Sequence, residues 1–413
     1  MQKKLYLNQL LFLLPLTLVF SKFLSDALIS LVGIFFLFRI NKYFKNILDH
    51  KISIYFIIFF FIMIFSNLIN ENYQTLFSKT IFFIRFLFFV LIIELFFINI
   101  KKIEKFLIIL ILILLLLQFD LFFQYLFGFD LVGNVSPHKF RLSGFFGDEL
   151  IAGGFLAKFS GIYFMSTVYF LKKKKIRNEY LIIILCLYVV AVFLTGERMA
   201  LILTFFSVFL VFVFAGEVRK IILLSVTIFS LILTVFIIKE ENFYKRHIKQ
   251  NLIQLGLSNK YSNDTFFDSH YGVIWLTSFE IIKKEFFFGT GIKQYRNVCG
   301  NEKYNLPNLK LKNQKIRCSS HPHNYFLEII TETGVFGLII YIIIISKIFQ
   351  IAFTKIKNEK SKNIQYLYIG FLISFILLIW PLKTSGSFFN NYNSVIFWLI
   401  AGLNLVNLNK KNT

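Results

Sequence analysis

Residues 319–346 read SSHPHNYFLEIITETGVFGLIIYIIIIS. Two histidines, a proline and an asparagine lead into an apolar run that carries two glutamates near its start and then only Leu, Ile and Tyr over 338–345. A run of that length crosses a bilayer, at about 20 residues per span. Ionisable side chains at the mouth of such a helix are costly unless they are paired or in use.

The rest of the chain repeats the apolar theme. Its 413 residues are 57% hydrophobic and 16% charged, with a mean hydropathy of +0.69. That composition defines a polytopic membrane protein of the all-α class. Apolar segments are expected to span near 6–23, 25–41, 53–70, 79–98, 103–127, 149–171, 179–195, 198–215, 220–238, 324–350, 364–381 and 386–408. These twelve segments divide the chain into an N-terminal bundle (1–238), a long connection (239–323) and C-terminal helices (324–413). The 57 phenylalanines read as lipid-facing filler. The MQKK start and the apolar residues after it resemble a signal sequence without a cleavage site, so a retained first helix is expected.

A formal charge of +23 would suggest nucleic acid in a soluble chain. Here the basic residues lie in alternate short connections: RINKYFKNILDHK, KKIEK, KKKKIRNE, GEVRK, SKIFQIAFTKIKNEKSKN and NKKNT. The positive-inside rule puts these in the cytoplasm, with no nucleic-acid partner, and puts the chemically varied connections outside. The long connection should carry structure of its own. Within it, SHYGVIWLTSFEIIKKEFFFG (269–289) has Val273, Trp275, Leu276, Phe279, Ile282 and Phe286 at helical spacing, the pattern of an amphipathic interfacial helix. Cys299 and Cys318 lie in the same connection, whereas Cys186 lies in a span. The outer pair reads either as two inert thiols or, in an oxidising compartment, as a disulfide that closes a loop of about 20 residues and contributes about 3 kcal/mol.

His323-Asn324, nine residues, then Gly334-Val335-Phe336-Gly337 resembles the O-antigen ligase family, whose pattern is His, then Asn, Ser or Gln, nine residues, Gly, two residues, and Gly, Thr or Tyr. RLSGFFGDELIAGGFLA (141–157), TGERMALIL (195–203) and FFGTGIKQYRNVC (287–299) are similar to family segments in the same order. Family ligases commonly carry an arginine shortly before a Trp in the long loop, where this chain has SHYGVIW. The resemblance implies a GT-C-like membrane glycosyltransferase at the periplasmic face of the inner membrane. It would transfer a glycan from undecaprenyl diphosphate to a lipid A-core or related hydroxyl, with inversion and without a cofactor. In that scheme His323 is the base and Arg198 the catalytic cation, while Arg141, Arg296, Asn324, His270 and His321 bind substrate. A polymerase that uses a second lipid-linked glycan as acceptor is the alternative, and a flippase or other transporter a more distant one.

Elementary chemistry gives these residues roles as well. Pro322 suits a first helical turn, which would put His323 at the positive end of a helix dipole and favour a neutral imidazole. Glu328 and Glu332, spaced i, i+4, are expected to pair with buried arginines, and Gly334 and Gly337 to admit a neighbouring helix. Arg85 and Asp120 should form a structural ion pair. The sequence has no zinc-spaced Cys/His cluster, no nucleotide loop and no Asp-x-Asp pair, so metal-independent transfer is expected.

Overall fold

The computed structural model describes residues 9–38, 52–138, 140–249, 252, 267, 269–306 and 316–408. The basic segments RINKYFKNILDHK and NKKNT and the MQKK start lie outside the described residues. Each of the twelve apolar segments carries a helix. They are α1 (Leu14–Phe20, entered through a 3-10 turn), α2 (Lys22–Leu37), α3 (Ser53–Ile69), α4 (Tyr73–Phe96), α5 (Ile100–Phe127) and α6 (Ala152–Lys173). There follow α7 (Tyr180–Leu194), α8 (Arg198–Phe214), α9 (Arg219–Lys239), then α10 (His270–Lys284) in the long connection. The chain ends with α11 (Tyr325–Asn358), α12 (Lys362–Leu378) and α13 (Asn391–Leu405). Among the described residues there is no strand, only an isolated bridge between His138 and Arg141. Five helices are long and apolar enough to cross a membrane by length and composition: α4, α5, α6, α9 with its leading 3-10 turn, and α11.

The phenylalanines are not only filler. Phe388 sits at the centre of an aromatic knot, 5.4 Å from the Tyr325 and Tyr341 rings and 5.0 Å from Phe397. Phe56, Phe59, Phe86, Phe89 and Phe106 are at most 1% exposed, so much of the aromatic excess fills the core. The outward faces of α3, α5 and α9 do expose Phe61, Leu112 and Leu231, as lipid contact requires.

Three expectations about polar groups are corrected. Arg85 pairs with Asp26 at 2.6 Å and not with Asp120, whose carboxylate accepts the Leu131 N–H at 2.8 Å and so folds the turn after α5 back over its end. Among the described residues, Glu328 and Glu332 pair with no arginine. Glu328 accepts from the Ser387 hydroxyl and the Phe388 N–H, the latter at 2.6 Å, and Glu332 accepts from the Lys293 N–H at 2.6 Å. Backbone donors at turns satisfy a buried carboxylate without the desolvation of a second charge.

Gly334 does not seat a neighbouring helix either. It breaks α11 with φ 69° and ψ −171°, a region essentially restricted to glycine. The 286–291 loop fits into the break: Val335 N–H donates to Phe286 O at 2.8 Å, Thr290 N–H to Thr331 O at 2.9 Å and Gly291 N–H to Glu332 O at 3.0 Å. A Cβ on Gly334 would run into the Phe287 carbonyl, whereas Gly337 faces Thr333 of its own helix. Gly334→Ala is therefore expected to cost about 2–3 kcal/mol through backbone strain, read as a lowered unfolding temperature in detergent. An unchanged temperature would show that the loop does not dock there.

Helix α10 forms where expected, but with a rotated face. Gly272, Val273, Ile274, Thr277, Ser278 and Ile281 are buried, while Phe279 and Phe286 stay exposed. The cause is a second small core: Ile274 and Ile281 pack with Tyr295, Cys299 and Tyr304. Cys299 and Cys318 are joined within it, with Cα atoms 5.3 Å apart. The Arg317 guanidinium donates to Gly300 O at 2.7 Å and Tyr304 O at 3.1 Å, which ties the approach to α11 against this core.

Candidate active site

The histidines precede α11. Its N-cap is Asn324, whose side chain accepts from Phe326 N–H and Leu327 N–H at 3.0 and 3.2 Å. Pro322 consequently lies outside the helix, and His323 stands one residue before the cap with φ 56°. A non-glycine residue there is strained by about 1–3 kcal/mol and persists only where its surroundings impose it. Here the Ser385 N–H donates to His323 O at 2.8 Å, and the Asn324 amide donates to Pro381 O at 2.6 Å and Lys383 O at 3.3 Å. Asn324 thus fastens the histidine turn to the 381–390 loop.

The two imidazoles lie 4.1 Å apart but differ in environment. His321 is 9% exposed, and its Nε2 lies 3.1 Å from the Ser385 carbonyl, which can only accept. Nε2 therefore carries the proton and Nδ1 accepts from Ser320 Oγ at 2.8 Å. Burial, then the charges of His323 and Arg296, push His321 down to about 3 against the opposing Ser385 bond. Both nitrogens are committed to structure. His323 is half-buried, with Nε2 2.8 Å from the Ser319 hydroxyl and its ring edge-on to Tyr271 at 5.3 Å. Burial, helped by His270, also lowers His323 below the usual histidine range, against a backbone contact at Ser385. Its neutral form is the resting form.

A histidine held neutral by the fold makes stability depend on pH. The contribution of His321 is complete above its ordinary value of 6.5 and is lost as pH falls from 6.5 towards about 3, at up to about 1.4 kcal/mol per pH unit. The unfolding temperature should fall between pH 7 and 5, and His321→Gln should flatten part of that fall. An identical slope in the variant would refute the assignment.

A group of arginines lies at the turn before α8. Gln124, buried at the end of α5, accepts from Ser143 N–H at 3.1 Å and Gly144 N–H at 2.9 Å, which lays the 140–144 segment over the bundle end. This brings the Arg141 side chain against Gly196 in the turn before α8. Among the described residues, Arg141 Nε has no hydrogen-bond partner. Arg246 reaches the same turn from the other side, its Nε donating to Gly196 O at 2.9 Å, while the neighbouring His247 ring stacks on Phe193 at 4.4 Å. Arg198 opens α8. Burial first, then Arg141 and Arg198, push Arg246 down to about 10, with Tyr271 and Glu197 opposing. Tyr271 packs edge-on to the His323 ring and lies within electrostatic range of Arg198 and Arg246, so it stands between the two groups.

Glu197 organises this cluster. Its carboxylate accepts from Gly153 N–H at 2.8 Å and Gly154 N–H at 3.1 Å, at the start of α6. A side chain on Gly153 would collide with Thr195, which explains the paired glycines. Burial raises Glu197 to about 7, against those N–H groups, Arg141 and Lys158. Beneath the histidines, Lys383 is 3% exposed, its amine donating to Leu377 O at 3.1 Å and lying 5.3 Å over the Tyr325 ring. Burial holds that amine well below the usual lysine range.

The structure therefore gathers Arg141, Arg198, His270, His321 and His323 at one end of the bundle, with Arg296 exposed at the margin and acting on His321. Arg246, Glu197 and Tyr271 were not singled out from the sequence. Glu197 was legible in principle as an acid beside a motif arginine. Arg246, in FYKRHIK, reads as one more basic residue after a span, and only the fold brings it to Gly196.

This end of the all-helical bundle thus concentrates arginines and a histidine lowered below its usual range. The O-antigen ligase family model matches residues 181–342, from α7 into α11. The family is associated with glycosyltransferase activity of the ligase or polymerase kind. No curated protein matches the chain.

Proposed function

We propose that the protein is an inner-membrane glycosyltransferase that moves a glycan from undecaprenyl diphosphate to a hydroxyl of a lipid A-core or related acceptor, at the periplasmic face and with inversion. The observation that carries this reading is the junction at Tyr271 between the His323 turn and the Arg141, Arg198 and Arg246 cluster. His323 takes the proton of the attacking hydroxyl, which suits an imidazole held neutral. The guanidiniums bind the diphosphate bidentately and stabilise its charge as the glycosidic bond breaks. His321 and Asn324 position His323, and His270 and Arg296 border the site.

The experiment is transfer by the purified protein in nanodiscs, given undecaprenyl-diphosphate-linked glycan and lipid A-core. Glycan on the acceptor together with released undecaprenyl diphosphate supports the ligase reading. Longer glycan on the carrier means a polymerase, and no new glycosidic bond refutes both. All twelve helices of the bundle are taken as spans in this reading, with the site outside. Reporter fusions at Lys174 should then read cytoplasmic and fusions at Gly133 periplasmic, and the reverse result would remove the site from the periplasm.

A further inference from the structure

The surroundings of His323 decide which of its nitrogens is basic. The ring centre lies 4.1 Å from that of His321 and 5.3 Å from that of Tyr271, and His270 acts on it electrostatically. Its Nε2 lies 2.8 Å from Ser319 Oγ. The Ser385 carbonyl also lies against the ring. A carbonyl can only accept, so it favours an N–H on the nitrogen that Ser319 does not occupy. With that proton on Nδ1, Nε2 holds the lone pair, and the Ser319 hydroxyl donates to it.

The basic lone pair is therefore already met by a hydroxyl in the resting protein. An attacking hydroxyl can reach it in two ways, by displacing Ser319 or by passing a proton through it. The fold favours the second. Ser319 follows Cys318, which is bonded to Cys299 in the small core beside α10. The Arg317 guanidinium holds the same stretch to Gly300 O and Tyr304 O. Ser319 is thus fastened from one side while its hydroxyl points at the base. It is half-buried, and among the described residues its hydroxyl bonds nothing but His323. A hydroxyl that donates to a base keeps lone pairs with which to accept from a third group. The neighbouring pair has no such use: His321 Nδ1 accepts from Ser320 Oγ, but its Nε2–H is held by the Ser385 carbonyl.

We propose that Ser319 is a further catalytic residue, a hydroxyl relay between the acceptor and His323. The proposal rests on the function proposed above. The acceptor oxygen bonds to the anomeric carbon and gives its proton to Ser319 Oγ, while Ser319 gives its own proton to His323 Nε2. The bond between the anomeric carbon and the diphosphate oxygen breaks, and its electron pair leaves with the diphosphate. Ser319 ends unchanged, His323 ends as imidazolium, and inversion is kept because Ser319 never bonds to the sugar.

The test uses the full chain in nanodiscs. Ser319→Ala should lower kcat by about 10–100-fold with donor affinity within about twofold, and Ser319→Thr, which keeps the hydroxyl, should recover most of it. Ser320→Ala removes the matching bond to His321 and should cost less. Unchanged or faster turnover in Ser319→Ala would mean that Ser319 merely covers the lone pair, and an equal loss in Ser320→Ala or no recovery in Ser319→Thr would mean a structural role; each overturns the relay. In single-turnover transfer, the wild-type rate should fall along a curve as D2O replaces H2O, since two protons move together. A straight line or no fall would overturn the relay, as would a glycan found on Ser319 by peptide mass spectrometry, which would make it a nucleophile. A last arm needs no transfer. Diethylpyrocarbonate acylates a neutral imidazole at its lone pair, so His323 should be modified about threefold faster or more in Ser319→Ala than in the wild type, the release of one hydrogen bond. Equal rates would overturn the Ser319–His323 contact itself. Absence of transfer by the wild type would overturn the relay together with the proposed function, and the acylation rates would still decide the contact.

Discussion

His323→Ala should lower the turnover of glycan transfer by about 10²–10⁴-fold, the usual contribution of a positioned general base, while donor affinity stays within about twofold. The separation follows from geometry. The diphosphate is assigned to guanidiniums seated around Gly196, whereas His323 packs edge-on to Tyr271 on a turn fixed by Ser385 and Asn324. Removing the imidazole leaves those guanidiniums in place. The acid limb of kcat/KM in the wild type should lie below pH 6.5, because burial lowers the His323 imidazole from that value and only its neutral form accepts a proton. His321→Ala should act differently. It removes a ring whose nitrogens both bind the frame, so turnover should fall less and the unfolding temperature should fall with it. Transfer kinetics and donor binding on the same preparations decide this: near-normal turnover in His323→Ala would end the base assignment.

The helices were legible in the sequence because apolar runs separated by short charged connections constrain a membrane chain more than a soluble one. The histidine motif was legible as well, since its spacing fixes which residues stand before and after the break in α11. The partners of the buried charges were not. Sequence offers arginines as counterions for Glu328 and Glu332, but a carboxylate is satisfied equally by N–H groups of loops that are distant in sequence, as those of Lys293 and Phe388 show. The same limit hid Arg246. Nothing local separates it from the lysines around it, and its place depends on a turn fifty residues earlier in the chain.

Arg198→Ala and Arg246→Ala should each weaken donor binding by about 10–100-fold, the cost of losing a charge-assisted contact to phosphate, and turnover should fall with it. Arg198→Lys should recover only part, because an ammonium cannot reproduce the planar fork. The Nε–H bond from Arg246 to Gly196 O fixes the plane of that guanidinium, and burial first, then the repulsion of Arg141 and Arg198, holds Arg246 down at about 10. Gathering like charges in a half-buried turn destabilises the empty protein, and an anionic ligand relieves it. Undecaprenyl diphosphate should accordingly raise the unfolding temperature of the wild type. Arg246→Ala should raise the ligand-free unfolding temperature and abolish most of the ligand-induced rise, since the substitution removes both the repulsion and the contact. Thermal unfolding in detergent, with and without the lipid diphosphate, measures both quantities at once. If Arg246→Ala lowers the ligand-free temperature and keeps the ligand-induced rise, Arg246 is a fastening for the Gly196 turn, and the diphosphate is held by Arg141 and Arg198 alone.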